Sequence, residues 1–157
     1  MKILIPIDGS NSALMTLYWA SGFLNPNTTQ IYLLYVIPAV PITSEIPMMN
    51  TEYDTTDAKS YLAQAQDIMK KAGFTVKEAQ YLIGDPGKTI CQYAEETGIN
   101  QTIIGSHGYG PVSELLYGSV SKYVFKHAKH PVVLLNNSNP PSIAISHPEA
   151  VTLAEVE

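Results

Sequence analysis

Short apolar runs alternate with longer amphipathic segments along most of the chain. Four short runs carry Ile, Leu or Val in a pattern typical of buried β-strands, and a fifth segment, residues 75–83, alternates less cleanly. Each is followed by Asp, Pro, Gly or Asn. The predicted strands are residues 2–7, 30–37, 75–83, 101–104 and 132–135.

The segments between these strands carry apolar residues at helical spacing and predict four helices. Ser10 or Ser12 caps the first helix, Asp57 caps the second and Gly73 closes it, and the fourth covers residues 119–127. Strands that alternate with helices form βαβ units. The pattern therefore predicts a single α/β domain, with a five-stranded, mainly parallel, Rossmann-like sheet and helices on both faces.

Two segments do not fit this alternation. Residues 38–56 contain three prolines and predict a long loop, which in a compact domain is usually functional or mobile. Residues 137–157 begin with an Asn-, Ser- and Pro-rich stretch and predict a flexible tail outside the core.

Composition narrows the class of protein. The 157 residues suit one domain, and Cys91 is the only cysteine, which excludes an internal disulfide. The chain has 9 Lys, no Arg and 14 acidic residues, for a net charge of −5, which argues against a nucleic-acid partner. No apolar run is long enough to cross a membrane, so we expect a cytoplasmic protein without a membrane partner.

Glycine and serine are concentrated after the fourth predicted strand, in the spacing Gly-x2-Gly-x9-Gly-Ser. Glycines let backbone N–H groups approach an anion closely. Ser119 and Ser121 stand at the start of the last helix, where free N–H groups favour phosphate and their hydroxyls add donors. The same residues also fit a surface loop with glycines for turns and Ser119 as a simple N-cap. The pattern alone leaves both interpretations open.

The glycine–serine motif, with an Asp after the first strand, resembles the ATP-binding branch of the universal stress protein family. The likeness covers residues 1–136 and includes the opening Ile-Leu-Ile-Pro-Ile-Asp-Gly-Ser, the second strand Leu-Leu-Tyr-Val-Ile, and Gly-Asp-Pro before the third helix. One departure is Asn100 before the fourth strand, where the family often has Asp. The resemblance implies a domain of the adenine nucleotide α-hydrolase-like type over residues 1–136.

The resemblance also implies a site for ATP, together with Mg²⁺, at the carboxyl ends of the strands. Asp8 would reach the nucleoside with Pro6 and Ile7 beside it, and Val36 would meet adenine through its backbone. The residues that would line the ribose and hold the phosphates are Ile104, Gly105, His107, Gly108, Gly118, Ser119, Val120 and Ser121. The implied function is that of a nucleotide-dependent switch or regulator in the cytoplasmic stress response.

Simpler explanations and alternative functions stay open. A carboxylate such as Asp8 at a strand end also accepts N–H groups from the following turn. His107 either faces solvent or donates to phosphate in a pH-dependent way. No nucleophile–base pair can be placed near the cleft, so no catalytic residue is assigned. The alternatives are a slow ATPase or nucleotidyl-transfer enzyme on the same fold, and an interaction module that binds no nucleotide.

The fifth predicted strand indicates how two copies could associate. Residues 132–135 are apolar throughout and, by family likeness, lie at the edge of the sheet. An edge without charges or an interior proline exposes unpaired backbone groups. We therefore expect a homodimer paired through this strand about a two-fold axis. The competing possibility is that the tail after residue 136 folds back over the edge.

Overall fold

A computed structural model describes residues 1–40, 53–106, 118–136, 142–147 and 150–152. The strands in this part of the chain are β1 (Lys2–Ile7), β2 (Gln30–Pro38), β3 (Thr75–Gly84), β4 (Gln101–Ser106), β5 (Val132–Asn136), β6 (Ser142–His147) and β7 (Ala150–Thr152). The helices are α1 (Asn11–Phe23), α2 (Thr56–Lys71), α3 (Pro86–Thr97) and α4 (Ser119–His127).

The strands form one sheet in the order β3-β2-β1-β4-β5-β6-β7. The first five in this order are mutually parallel, which confirms the predicted mainly parallel sheet. From β1 the chain winds outward through β2 to β3, and then returns to β4 and winds the other way to β5. The boundary between β1 and β4 is therefore the topological switch point, where open α/β sheets bind ligands.

Side chains alternate between two apolar layers, one on each face of the sheet. Ile3 and Ile5 of β1 pack with the buried sides of α1 and α2, whereas Leu4 packs with α3 and α4. This alternation is the two-residue period of a strand that is buried on both faces, and it confirms the helices on both sides. None of the described helices is long and apolar enough to span a membrane.

Local signals fix most of the helix ends. Ser10 caps α1 and Asp85 caps α3, each by accepting the backbone N–H three residues further on. Gly98 closes α3 in the left-handed region, with φ 67°. The predicted cap of α2 is wrong, because the helix begins one residue after Thr55 and Asp57 lies inside its first turn. A carboxylate there still interacts favourably with the helix dipole.

Hydrogen bonds close the amino end of the sheet. The backbone N–H of Lys2 donates to Asn100 Oδ1 at 2.7 Å, and its Nζ donates to the Thr97 carbonyl at 2.9 Å. Thr102 Oγ1 lies 2.6 Å from His130 Nε2 across β4 and the start of β5. Asn100 therefore holds the entry of β1 beside that of β4, which gives the departure from the family's Asp a structural role.

The edge of the sheet differs from the prediction. In the described part of the segment after residue 136, β6 pairs antiparallel with β5, and β7 pairs with β6. The expectation of a tail outside the fold is wrong for these residues, and so is the expectation of a bare edge at β5. The reason is that an apolar strand edge offers unpaired N–H and C=O groups to any nearby extended segment. A homodimer through β5 would require β6 to leave this position.

Candidate functional site

A cavity of about 320 Å³ lies at the carboxyl ends of β1, β2 and β4. The structure brings ten of the predicted site residues to its wall. These residues are Pro6, Ile7, Asp8, Val36, Ile104, Gly105, Gly118, Ser119, Val120 and Ser121. His107 and Gly108 fall outside the described residues. The volume is within the range typical of small-molecule sites.

Strand registers explain why the cavity opens at this place. Pairing between β1 and β2 stops at Ile7 and Tyr35, although β2 continues beside β3 as far as Pro38. Pairing between β1 and β4 involves only the first residues of β4, and the strands then separate. The backbone of β2 beyond Tyr35, which includes Val36, therefore has no strand on its β1 side. A ligand in the cavity can reach backbone polar groups there.

The turn after β1 forms one wall. Asp8 is exposed, and its Oδ1 accepts the Ser10 N–H at 2.9 Å, so the turn interaction expected of this carboxylate is present. Gly9 between them has φ 78°, a conformation that favours glycine. A Cβ at Gly9 would also collide with the Tyr61 ring of α2. The tight turn thus holds the Asp8 carboxylate at the cavity while an aromatic ring packs behind it.

Two tyrosines near this wall were not predicted from the sequence. Tyr35 lines the cavity and stacks on Tyr61, with ring centroids 6.3 Å apart and planes 1° from parallel. Burial raises the pKa of Tyr35, and the nearby Asp57 and Asp8 carboxylates raise it further. Tyr35 is therefore a neutral phenol near neutral pH. The sequence did contain one signal for Tyr35. It precedes Val36 in the same strand, and neighbouring residues of a strand lie at the same end of the sheet.

The N-terminus of α4 forms the opposite wall and lacks a side-chain cap. Gly118 at the N-cap position provides no side-chain acceptor, in contrast to Ser10 of α1 and Asp85 of α3. The N–H groups of the first helical turn have no acceptor within a helix. The residues of this turn line the cavity, so the positive end of the helix dipole lies at its wall, which suits an anion.

The two serines of α4 differ in what they offer. Ser119 is exposed at the cavity. Ser121 is buried, and its hydroxyl donates to the Gly118 carbonyl at 2.9 Å. The expectation that both hydroxyls add donors is therefore wrong for Ser121, because its proton already has an acceptor. What Ser121 presents to an anion is its backbone N–H.

Gly105 lines the cavity but also has a packing role. A Cβ at this position would lie 2.5 Å from Thr16 Oγ1 and 2.9 Å from Ser12 Oγ, both on α1. Real Cβ atoms do not come this close, so glycine is what lets α1 lie against β4. The first glycine of the motif is thus required by helix–strand packing as well as by any ligand.

The described wall of the cavity carries few charged side chains. Among the described lining residues, Asp8 is the one charged side chain, and residues 89–121 of the sequence contain no Lys or Arg. No group of three or more His, Cys, Asp or Glu side chains in the described residues could hold a metal ion. An anionic ligand at the described wall would therefore meet backbone N–H groups and hydroxyls.

The fold and the cleft define a doubly wound α/β domain with a cavity at its switch point. The model of the universal stress protein family matches residues 1–136, and the chain belongs to this family. Universal stress protein MJ0577 of Methanocaldococcus jannaschii is 28% identical, and the match covers 88% of this chain and 96% of the relative. The resemblance stated from the glycine–serine motif is confirmed.

Solved structures show the same fold. That of MJ0577 has a TM-score of 0.70 at 31% identity, and the match covers 88% of this chain and 96% of that one. A family member from Arabidopsis thaliana, solved with AMP bound, has a TM-score of 0.65 at 22% identity. The match covers 88% of this chain and 94% of that one. A universal stress protein from Archaeoglobus fulgidus, solved in complex with dAMP, has a TM-score of 0.64 at 23% identity. The match covers 85% of this chain and 96% of that one.

Proposed function

We propose that this protein binds adenine nucleotides, and ATP in particular, in the cavity at the carboxyl end of the sheet. The observation that carries the proposal is the uncapped first turn of α4, which faces the open backbone of β2 across a cavity of about 320 Å³. One wall suits phosphate and the other suits the edge of a base. The AMP and dAMP named in the structures of two family members support this choice of ligand.

The phosphates would lie against the N–H groups of Ser119, Val120 and Ser121. Because the described wall has no cationic side chain and has the Asp8 carboxylate, a triphosphate needs a counter-charge. Mg²⁺ is usually held by phosphates and one or two carboxylates, and keeps several waters. We therefore propose that ATP binds as its Mg²⁺ complex, with Asp8 as the protein carboxylate nearest to the ion. Chelation of Mg²⁺ should weaken ATP much more than AMP.

Adenine would be recognised by the backbone of β2 at Val36. Backbone groups read the donor and acceptor pattern of the base edge, which is reversed between adenine and guanine. A mismatched pair of polar groups costs about 1 kcal/mol or more, so GTP should bind at least roughly fivefold more weakly than ATP. Val36→Ile should change neither affinity much, because the backbone is retained.

The biological role proposed on this basis is that of a nucleotide-dependent switch in the cytoplasmic stress response. Nucleotide binding alters a protein's behaviour only if the ligand stabilises one conformation over another. The α4 N-terminus and the turn at Asp8 belong to different elements. A ligand that contacts both would therefore couple the position of one element to that of the other. No described residue is assigned a catalytic role.

Gly118→Val is the most informative variant for this proposal. Gly118 has φ −54°, which a β-branched residue tolerates, so the fold should survive while the side chain enters the space required by phosphate. Hydrogen bonds to charged groups contribute about 1.5–3 kcal/mol each. The loss of two of them weakens Mg·ATP by roughly 100-fold or more in calorimetry.

Gly22→Val is the matched control, because a Cβ at Gly22 of α1 has no atom within 4 Å and Gly22 is not among the cavity residues. It should leave the affinity for Mg·ATP unchanged. An unchanged affinity in folded Gly118→Val would contradict the site. Denaturation of the purified wild-type protein should also release an adenine nucleotide that mass spectrometry detects in the supernatant.

A further inference from the structure

Tyr61 of α2 supports the cavity from outside, by packing against two parts of its wall. A Cβ added at Gly9 would lie 2.7 Å from Cδ2 and Cζ of Tyr61, so the ring packs directly against the backbone of the turn after β1. The same ring stacks on Tyr35, with centroids 6.3 Å apart. Tyr35 lines the cavity, whereas Tyr61 is not among the described lining residues.

Tyr61 bridges β1 and β2 at the point where their pairing ends. The last paired residues are Ile7 and Tyr35, and the turn that carries Asp8 begins at the next position of β1. Tyr61 contacts this turn at Gly9 and contacts β2 at Tyr35. Parallel rings at this separation are within the range of favourable aromatic contacts. The ring therefore connects the turn to β2 where the strand ladder no longer does.

The glycine in this turn explains why such support matters. Gly9 has φ 78°, and glycine has a wider choice of backbone conformations than any other residue. Oδ1 of Asp8 accepts the Ser10 N–H at 2.9 Å, but Asp8 is exposed, and water competes for such a bond. Packing of the Tyr61 ring on Gly9 limits the conformations open to the turn, and so keeps the Asp8 carboxylate at the cavity.

Helix α2 is anchored firmly enough to hold the ring in place. Leu62, next to Tyr61 in the chain, and Met69 are buried in the apolar core on this face of the sheet. Burial raises the pKa of Tyr35, and the Asp57 carboxylate in the first turn of α2 raises it further, so the start of this helix lies beside the same wall. The contact between α2 and the site therefore rests on packed structure at both ends.

We propose that Tyr61 is a positioning residue that holds the nucleotide site in its binding conformation and makes α2 the element through which the site is regulated. The inference rests on the proposed function, because it concerns the same cavity. Ordering the backbone of one residue corresponds to a change of about 5- to 30-fold in an equilibrium constant. With Tyr61 in place the turn is ordered when the chain folds, so nucleotide binding does not carry this cost.

Coupling of this kind acts in both directions. If the packing of α2 on the turn raises the affinity for nucleotide, bound nucleotide stabilises that packing by the same factor. A change in the position of α2 would then change nucleotide affinity, and nucleotide would change how firmly α2 is held. This contact gives the proposed switch a defined route from the cavity to a helix outside it.

Calorimetry with Mg·ATP on matched variants tests the proposal. Tyr61→Ala should weaken binding about fivefold or more, because the turn is no longer ordered before the ligand arrives. Tyr61→Phe keeps the ring and should bind within about twofold of wild type. Ile68→Ala is the matched control, since Ile68 is also a partly buried residue of α2 that packs on the same core, but lies further along the helix. It should lower stability and leave the affinity unchanged.

Backbone amide resonances of the free protein give a second readout that needs no ligand. The amides of Gly9 and Ser10 should be sharp in wild type and in Ile68→Ala, and broadened by conformational exchange in Tyr61→Ala. Saturating Mg·ATP should sharpen them again. If wild type does not bind Mg·ATP, the proposed function fails, and the resonances of the free protein still decide whether the Tyr61 ring holds the turn.

Three results would overturn the proposal. The first is an affinity for Mg·ATP within about twofold of wild type in folded Tyr61→Ala. The second is an equal loss of affinity in Ile68→Ala, which would assign the effect to general loosening of α2. The third is sharp Gly9 and Ser10 amides in Tyr61→Ala. If Tyr61→Ala does not fold, Tyr61→Leu replaces it, because leucine keeps apolar volume without the planar ring, and the same results decide.

Discussion

The amino and carboxyl ends of the parallel strands use their polar groups in different ways. At the amino end, Lys2 is tied to Asn100, and Thr102 to His130, by hydrogen bonds between neighbouring strand entries. At the carboxyl end the strands separate, the N-cap residue of α4 provides no side-chain acceptor, and a cavity opens. The difference shows that hydrogen bonds close one end of the sheet, whereas the other end opens into a cavity.

Changes at the two ends should therefore have separable consequences. Substitutions at the amino end should lower stability without changing nucleotide affinity. Substitutions on the cavity wall should change affinity, unless the residue also packs against another element. Gly105 and Gly118, which belong to the same sequence motif, allow this distinction to be tested within the carboxyl end itself.

The largest effect on stability is expected from Gly105→Val. The new side chain would collide with Thr16 and Ser12 of α1, and overpacking of this kind typically costs about 1–3 kcal/mol. Urea denaturation should show a decrease in the free energy of unfolding near the top of that range. Gly118→Val should lie within about 0.5 kcal/mol of wild type, since its backbone conformation is ordinary. Equal destabilisation of the two variants would mean that both glycines serve packing.

A smaller loss of stability is expected from Thr102→Val at the amino end of the parallel strands, which we call the closed end. Thr102 is fully buried, and the substitution removes the partner of His130 Nε2. A hydrogen bond of this kind contributes about 1 kcal/mol, and an unsatisfied partner adds to the loss. Urea denaturation should therefore show a free energy of unfolding lower by about 1–2 kcal/mol, with Mg·ATP affinity unchanged. Thr28→Val, at an exposed threonine, is the control and should be nearly neutral. A loss of ATP affinity in Thr102→Val would show that the two ends are coupled.

The smallest effect concerns pH. Burial lowers the pKa of His130 below its ordinary value of 6.5, so the folded protein takes up this proton less readily than the unfolded chain. Stability should fall as the pH drops below 6.5 towards the folded pKa, and above that range both forms are neutral. Denaturation between about pH 5 and about pH 8 should show this slope in wild type and a reduced slope in His130→Gln. An equal slope in the variant would assign the effect to other groups.

Much of the fold could be predicted because local patterns and tertiary packing agree. Strands buried on both faces appear as continuous apolar runs, and Ser10 marks the start of α1 by its own chemistry. The pairing of β6 with β5 agrees with the second of the two possibilities that the sequence left open, a tail that folds back over the edge. The sequence alone could not choose between them, because an apolar edge can pair with any extended segment that reaches it. The start of α2 likewise could not be placed from turn residues alone. Asp57 lies in the first turn, where it interacts with the helix dipole, and is not the N-cap residue.

The site could be predicted in part for a similar reason. Strand ends and the glycine–serine motif placed Asp8, Val36 and the start of α4 around one cavity. The stacking of Tyr35 on Tyr61 could not be anticipated, because it joins β2 to α2 through tertiary packing. The internal hydrogen bond of the Ser121 hydroxyl depends on its rotamer, which sequence does not reveal.

Chemical-shift mapping of backbone amides during titration with Mg·ATP tests nucleotide binding at the carboxyl end most directly. We predict large shifts at the amides of Ser119, Val120 and Ser121 and at Val36. The amides of Lys2 and Thr102 at the closed end should stay unchanged. Saturating Mg·ATP that leaves the α4 amides unshifted, or that shifts the amino-end amides instead, would contradict the account.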